Sequence, residues 1–160
     1  MKEILVPIDF SESTASVLDV AERMARAFDT SLRLLHVAPP DISYAGFDAS
    51  PREVRDRQAE ELREEHRRLI EMAEALGGRG VPAKALLLEG VPDEEIVAQA
   101  KAHDAAFIVM GSHGRSALVQ ALVGSVSEGV IRHAPCPVTV VPYASRKHGD
   151  SRREAEAHPS

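Results

Sequence analysis

The sequence has few residues that form disulfides or stack on bases. It contains one cysteine, Cys136, no tryptophan, and only 4% aromatic residues among 160. A single cysteine excludes an internal disulfide, which fits a reducing compartment. The scarcity of aromatic rings leaves little surface on which nucleic-acid bases could stack. No apolar run approaches the ~20 residues that span a bilayer.

The charge balance is acidic, with a net charge of −6. Duplex DNA or RNA requires a clustered basic surface, so this balance argues against a nucleic-acid partner, whereas a single nucleotide is compatible with it. The chain runs from Lys2 and Glu3 directly into an apolar segment, without the pattern of a signal peptide. We therefore predict a cytoplasmic protein with no nucleic-acid or membrane partner.

The length and composition fit one domain. Hydrophobic residues make up 44% of the chain and charged residues 28%, as in ordinary globular proteins. The stretch 145–160 is rich in charge and offers nothing to a core. We predict a domain over residues 1–143 and a polar, mobile tail over 144–160.

Short apolar segments alternate with helical patterns along the chain. The predicted strands are Ile4–Ile8, Leu32–Val37, Ala83–Leu88, Ala105–Met110 and Val138–Val141. Four helices are predicted. The first has Leu18, Ala21, Met24, Ala25 and Phe28 on its inner face, and the second is long and charged, from a capping box at Ser50–Glu53 to Gly77-Gly78. The third is Pro92–His103, with Ile96, Val97 and Ala100 inward, and the fourth is Gly124–His133. This order predicts an α/β fold, a single-domain open five-stranded parallel sheet with helices on both faces, whose ligands bind beyond the carboxyl ends of the strands.

A glycine-rich segment follows the fourth predicted strand. Gly111 and Gly114 stand three residues apart, and Gly124-Ser125 follows where the last helix begins. Glycine permits positive φ and lets a polyanion approach bare N–H groups. A helix start adds unpaired N–H donors and partial positive charge. The segment predicts a phosphate site, although a glycine-rich turn also serves simply to reverse the chain.

The spacing Gly, two residues, Gly, nine residues, Gly-Ser resembles the nucleotide-binding signature of the universal stress protein family. The opening segment Ile4–Glu12 and the closing segment His133–Val141 also resemble that family's first and last strands, and the likeness covers about residues 2–142. The resemblance implies an adenine nucleotide alpha-hydrolase-like, Rossmann-like fold. It also implies ATP as the ligand, with Mg²⁺ or Mn²⁺ bound through the phosphates.

The resemblance further implies roles for individual residues. The position matching Asp9 contacts the adenosine end, and Pro7, Ile8 and Val37 form walls around the base; from the residues alone, Asp9 is equally well a local helix cap. The predicted nucleotide-binding set is Pro7, Ile8, Asp9, Val37, Met110, Gly111, Ser112, His113, Gly114, Arg115, Ser116, Ala117, Gly124, Ser125, Val126 and Ser127.

Sequence patterns for catalysis or metal binding are missing. There is no Gly-x-Ser-x-Gly elbow, no lysine-bearing phosphate loop and no metal-ligand spacing among the histidines. His113 and Arg115 either contact phosphate or are solvated loop residues. Cys136, between two prolines, is interpreted as a small buried apolar residue. We therefore assign no catalytic residue and no metal ligand from the protein.

The resemblance therefore implies a universal stress protein that acts as an ATP-binding regulatory or protective module in a stress response, with at most slow hydrolysis. Two alternatives stay open. One is a nucleotide-dependent transferase or pyrophosphatase on a related fold, for which Asp9 and Glu12 are the candidate carboxylates. The other is an interaction module that binds no nucleotide.

The last predicted strand indicates a dimer. Pro137 before Val138 favours an edge position, because a central strand would miss its N–H. An unpaired apolar edge promotes association, and pairing with a second copy closes it with two-fold symmetry, which is also how the resembling family usually dimerises. We predict a homodimer through Val138–Val141.

Overall fold

The computed structural model describes residues 2–40, 52–112 and 123–142. Within these residues, five strands alternate with four helices. They are β1 (Ile4–Pro7), α1 (Thr14–Phe28), β2 (Leu32–Ala38), α2 (Arg52–Gly78), β3 (Ala83–Glu89), α3 (Pro92–Ala102), β4 (Phe107–Gly111), α4 (Ser125–His133) and β5 (Val138–Val141). The predicted number, type and order of elements are confirmed.

The strands form one parallel sheet in the order β3-β2-β1-β4-β5. The chain adds β2 and β3 on one side of β1 and then crosses over to add β4 and β5 on the other. The strand order therefore reverses between β1 and β4, which is where ligands bind in open sheets of this kind. β5 lies at an edge, as the proline before it predicts.

Helices cover both faces of the sheet. On one face, α1 and α2 pack on the sheet through Val17, Ala21, Ala25, Leu69, Ala73 and Leu76. On the other face, α3 and α4 pack through Ile96, Ala100 and Val130. β2 is buried on both faces, which is why its apolar residues do not alternate with polar ones. The predicted fold class is confirmed.

Several boundaries and side chains differ from the prediction. The first strand ends at Pro7, although the Ile8 N–H still donates to the Leu35 carbonyl over 2.8 Å. β4 begins at Phe107 and not at Ala105. Phe28, predicted to face the core, is 57% exposed, because α1 ends at this residue and its ring lies against Phe107 at the protein surface.

The ends of the helices follow the sequence signals where these are described. α2 ends at the predicted glycine pair and buries only Leu69, Ala73 and Leu76, so most of this charged helix is exposed. Ser50 and Pro51, the first half of its predicted capping box, lie outside the described residues. α3 begins with Pro92 and buries the three predicted residues. No helix in the described ranges has both the length and the apolar character that crossing a bilayer requires.

An ion cluster joins α1 to the turn after α2. Arg79 donates to both carboxylate oxygens of Glu22, and Arg26 donates to Glu22 and to the Arg79 carbonyl. The hydrogen bonds from Arg79, followed by those from Arg26, lower the pKa of Glu22 to about 2. The folded protein therefore favours the charged carboxylate.

The stability contributed by Glu22 is expected to depend on pH. Since its pKa falls from 4.5 to about 2 on folding, the contribution is complete above about pH 4.5 and is lost as the pH drops toward 2. Glu22→Gln should therefore destabilise the protein most near neutral pH, and the difference from wild type should shrink through that window in urea unfolding. Asp19→Asn, which removes an exposed pair with Arg23, is the control with little effect. A Glu22→Gln deficit that is constant from pH 7 to pH 2 would contradict this assignment.

Candidate functional site

A cleft of about 420 Å³ lies at the carboxyl ends of β1, β2 and β4. Its walls come from the ends of these strands and from the first turns of α1, α3 and α4. The lining residues are Pro7, Ile8, Asp9, Ser13, Thr14, Val17, Leu35, His36, Val37, Pro39, Glu65, Pro92, Ile96, Met110, Gly111, Val126 and Ser127. This is the place that the reversal of strand order predicts.

The cleft opens where β1 and β4 stop pairing. Their last paired residues are Leu5 and Ile108, whereas β1 stays paired with β2 through Pro7. The N–H groups of Ile4 and Ile8 donate toward β2, so alternation along the strand turns the nitrogen of Pro7 toward β4. Proline has no N–H to donate. The ladder between β1 and β4 therefore ends, and the gap between the strands begins.

The structure brings eight of the predicted binding residues into this cleft. They are Pro7, Ile8, Asp9, Val37, Met110, Gly111, Val126 and Ser127. Ser112 continues the chain beyond β4, and Gly124 and Ser125 begin α4, so these three residues flank the same wall in sequence. His113, Gly114, Arg115, Ser116 and Ala117 lie outside the described residues.

The two ends of the glycine signature meet beside the cleft. The N–H of Gly124 donates to the carbonyl of Ser112 over 2.7 Å, and the Ser112 N–H donates to the carbonyl of Val141 over 2.9 Å. The Ser127 hydroxyl donates to the Gly111 carbonyl at 2.8 Å. These bonds fix the start of α4 to the end of β4, so the described ends of the signature lie side by side.

The conformation of the two described signature glycines differs from the expectation. Gly124 caps α4 with extended φ of −74° and ψ of 165°. Among the described residues, the glycines with positive φ are Gly80 and Gly90, so Gly111 does not have it either. The expectation of positive φ at these two glycines is therefore wrong. The other property of glycine, the absence of a side chain next to backbone donors, still applies.

The first turn of α4 offers those donors. The N–H of Glu128 donates to the Gly124 carbonyl over 2.9 Å, which is the first hydrogen bond of the helix. The N–H groups of Ser125, Val126 and Ser127 precede it, and such groups have no carbonyl partner within their own helix. They also lie at the positive end of the helix dipole. This turn can therefore receive an anion.

Asp9 forms a local hydrogen bond and also lines the cleft. Its Oδ1 accepts the Ser11 N–H over 2.9 Å, which closes a local turn, and the residue also lines the cleft. Ser13 holds the N-cap position of α1 without a side-chain capping bond, and its hydroxyl pairs with that of Ser11 at 2.8 Å. The contact of Asp9 with adenosine stays a prediction.

A buried histidine at the cleft is the main feature that sequence reasoning missed. His36 is 6% exposed; its Nδ1 lies 2.7 Å from the Ile8 carbonyl and its Nε2 lies 3.2 Å from Oε2 of Glu65. The carbonyl can only accept, so Nδ1 is the protonated donor. Nε2 faces the carboxylate of Glu65, which belongs to α2. The pair ties a wall of the cleft to α2.

Phe10 completes this cluster from the turn after β1. Its ring lies 4.8 Å from that of His36, and the guanidinium of Arg68 lies 4.5 Å from the Phe10 centroid. Phe10 has φ of 57°, a left-handed conformation that is rare for a bulky residue and costs roughly 1–3 kcal/mol. Its aromatic and cation–π contacts hold this conformation next to Asp9.

The charged groups of the described cleft wall are acidic or imidazole. Asp9, Glu65 and His36 line it, and no lysine or arginine does so within the described residues. Those residues also contain no group of three or more metal-binding side chains.

Cys136 is half-buried, and burial, reinforced by the nearby Asp104 carboxylate, raises the pKa of its thiol. A raised pKa opposes thiolate chemistry.

Comparison with known proteins identifies the family. The model of the universal stress protein family matches residues 1–142. The chain belongs to the universal stress protein family. Universal stress protein YxiE of Bacillus subtilis is 33% identical over 144 residues, covering 87% of this chain and 97% of that protein. Universal stress protein MJ0577 of Methanocaldococcus jannaschii is 33% identical over 156 residues, covering 88% of this chain and 94% of that protein.

Solved structures of universal stress proteins share the fold. The structure of MJ0577 matches with a TM-score of 0.77 at 32% identity, over 90% of this chain and 97% of that one. A universal stress protein from Archaeoglobus fulgidus, solved in complex with dAMP, matches with a TM-score of 0.59 at 24% identity, over 88% of this chain and 97% of that one. At that identity the second likeness establishes the fold alone.

The junction between β4 and α4 in this universal stress protein gives a stability prediction. Ser127→Ala removes the donor to the Gly111 carbonyl in a buried position and should lower the free energy of unfolding by about 1 kcal/mol. Ser125→Ala, in the same turn but exposed, should change it by much less. Urea unfolding of both variants measures the difference. Equal stabilities would show that the Ser127 hydroxyl does not hold this junction.

Proposed function

We propose that this protein binds ATP in the cleft between β1 and β4 and acts in the cytoplasm as a regulatory or protective module of a stress response, hydrolysing ATP slowly at most. The observation that supports this most strongly is the bond between Gly124 N–H and the Ser112 carbonyl. It brings together the two halves of a phosphate-binding signature that are separated in sequence.

The adenosine end is proposed to lie at the carboxyl ends of β1 and β2. Pro7, Ile8 and Val37 supply apolar surface there, and Asp9 supplies a carboxylate. Small-molecule sites have volumes of roughly 300–1,000 Å³ and combine apolar walls with a few polar groups. The cleft, at about 420 Å³, fits this description.

The phosphates are proposed to lie at the first turn of α4. Its N–H groups and the helix dipole favour an anion there, and Arg115 is the predicted cationic side chain beyond the described wall. Mg²⁺ or Mn²⁺ is proposed to bind through the phosphate oxygens. Such a cation supplies the positive charge that the described wall lacks.

Binding is favoured over the enzymatic alternative by the positions of the candidate carboxylates. Asp9 closes a turn with the Ser11 N–H, and Glu12 is exposed and outside the described lining of the cleft. A hydrolase or transferase needs a base or metal-binding carboxylates beside the phosphates. The Archaeoglobus fulgidus protein, solved in complex with dAMP, indicates that this fold can hold an adenine nucleotide.

The decisive test uses Gly124→Val. The extended backbone of Gly124 is allowed for valine, so the variant should fold, while the branched side chain occupies the space beside the α4 donors. Titration calorimetry should give an ATP affinity at least about tenfold below wild type, since more than one charge-assisted bond is disturbed. Nucleotide released on denaturing the freshly purified wild type should be identified in parallel.

Gly77→Val is the matched control. A side chain at Gly77 meets no atom within 4 Å, and the residue lies near the end of α2. Its ATP affinity should equal that of wild type. A folded Gly124→Val variant that binds ATP as tightly as wild type would place the phosphates elsewhere, and a wild type that binds no nucleotide would support the interaction module.

A homodimer through β5 is the second part of the proposal. The carbonyls of Pro137 and Val141 accept N–H groups from the β4 side, so the backbone groups of Val138 and Val140 point to the free edge. This edge is entirely uncharged. At the opposite edge of the sheet, β3 presents exposed Lys84 and Glu89, which discourage strand pairing.

Val140→Pro should yield a folded monomer. It deletes an N–H that points to the free edge and leaves the β4 ladder intact, because edge strands tolerate proline there. Deletion of 145–160 should leave the dimer unchanged. Sedimentation velocity distinguishes these results: a folded Val140→Pro dimer, or a monomeric tail deletion, would mean that the interface lies elsewhere.

A further inference from the structure

Thr14, in the first turn of α1, has a hydroxyl that the fold leaves without a partner. The residue is 9% exposed, and its Oγ1 forms no hydrogen bond with any described residue. Its backbone is satisfied, since its N–H donates to the Ser11 carbonyl over 3.1 Å. A buried hydroxyl without a partner destabilises the free protein.

The nearby hydroxyls of the cleft are bonded within the protein. Ser13 pairs with Ser11, and Ser127 donates to the Gly111 carbonyl. Among the buried side-chain oxygens and nitrogens of the described residues, Thr14 Oγ1 is the one without such a bond. A helical threonine commonly bonds a carbonyl one turn back, and this one does not. The helix therefore does not satisfy this hydroxyl.

Thr14 lines the cleft on the side of the β1–α1 turn, together with Asp9. The candidate phosphate donors lie on the β4–α4 side. Rotation about χ1 exchanges the methyl and the hydroxyl of threonine, and both helix-compatible rotamers are populated. After such a rotation the hydroxyl can form a hydrogen bond with a ligand in the cleft, as a donor or as an acceptor.

We propose that Thr14 binds the nucleoside end of the ligand through its hydroxyl, and that this bond satisfies a polar group left unpaired in the free protein. The inference rests on the proposed nucleotide binding and adds a residue outside the family signature. The same hydroxyl would then lower the stability of the free form and raise the affinity for the ligand.

The test is Thr14→Val, which replaces the hydroxyl by a methyl group of similar shape. Without nucleotide, the variant should resist urea at least as well as wild type, because no unpaired group remains. Its affinities for ATP and adenosine should fall about fivefold, the size of one ordinary hydrogen bond, while inorganic triphosphate binds unchanged. Thr14→Ser should retain wild-type affinities.

Thr30→Val controls for the loss of a threonine hydroxyl that has a partner, the Lys2 carbonyl, outside the cleft. It should lower stability and leave affinity unchanged. Unaltered adenosine affinity in both Thr14→Val and Thr14→Ala would overturn the inference while leaving nucleotide binding intact. A Thr14→Val variant with weaker binding of inorganic triphosphate alone would overturn the assignment to the nucleoside end. A wild type that binds neither ATP nor adenosine would overturn the inference and the proposed function together.

Discussion

The missing N–H of Pro7 is the constraint on which the site depends. β1 is the central strand, bonded on one side to β2 and on the other to β4, and the nitrogen of Pro7 faces β4. Because no bond can form there, the two strands separate after Leu5 and Ile108. The strand order also reverses at this position. The hydrogen-bond pattern of the sheet thus determines where the cleft opens.

The fold could be predicted from the sequence because its signals are local. The apolar runs of the strands, the proline that starts α3 and the glycine pair that ends α2 each act over a few residues, and each is confirmed. The glycine signature is likewise local, although its two described glycines lack the positive φ expected of them. Gly124 has an extended backbone just before the N–H donors of α4, an arrangement that spacing alone does not distinguish from a requirement for positive φ.

The rest of the site could not be predicted because it depends on contacts between distant residues. His36 and Glu65 are 29 residues apart, and no periodic pattern indicates that α2 places a carboxylate beside the end of β2. Phe10 has a left-handed φ, which sequence reasoning expects at glycine and not at phenylalanine. The unpaired hydroxyl of Thr14 is a property of what surrounds it, so it becomes visible only when every partner in the described structure is known.

Several side chains of the cleft already have hydrogen-bond partners within the protein, and this affects what the cleft can do. Asp9 and Ser127 have hydrogen bonds that hold turns together, and His36 holds a strand end to α2. Groups bonded in this way are positioned rigidly, which favours recognition of a ligand, whereas acid–base catalysis needs a group that can exchange a proton with substrate. The donors at the first turn of α4 belong to the backbone and cannot exchange protons in a reaction. Under the proposed function, such groups bind the polyanion and contribute little to breaking its bonds.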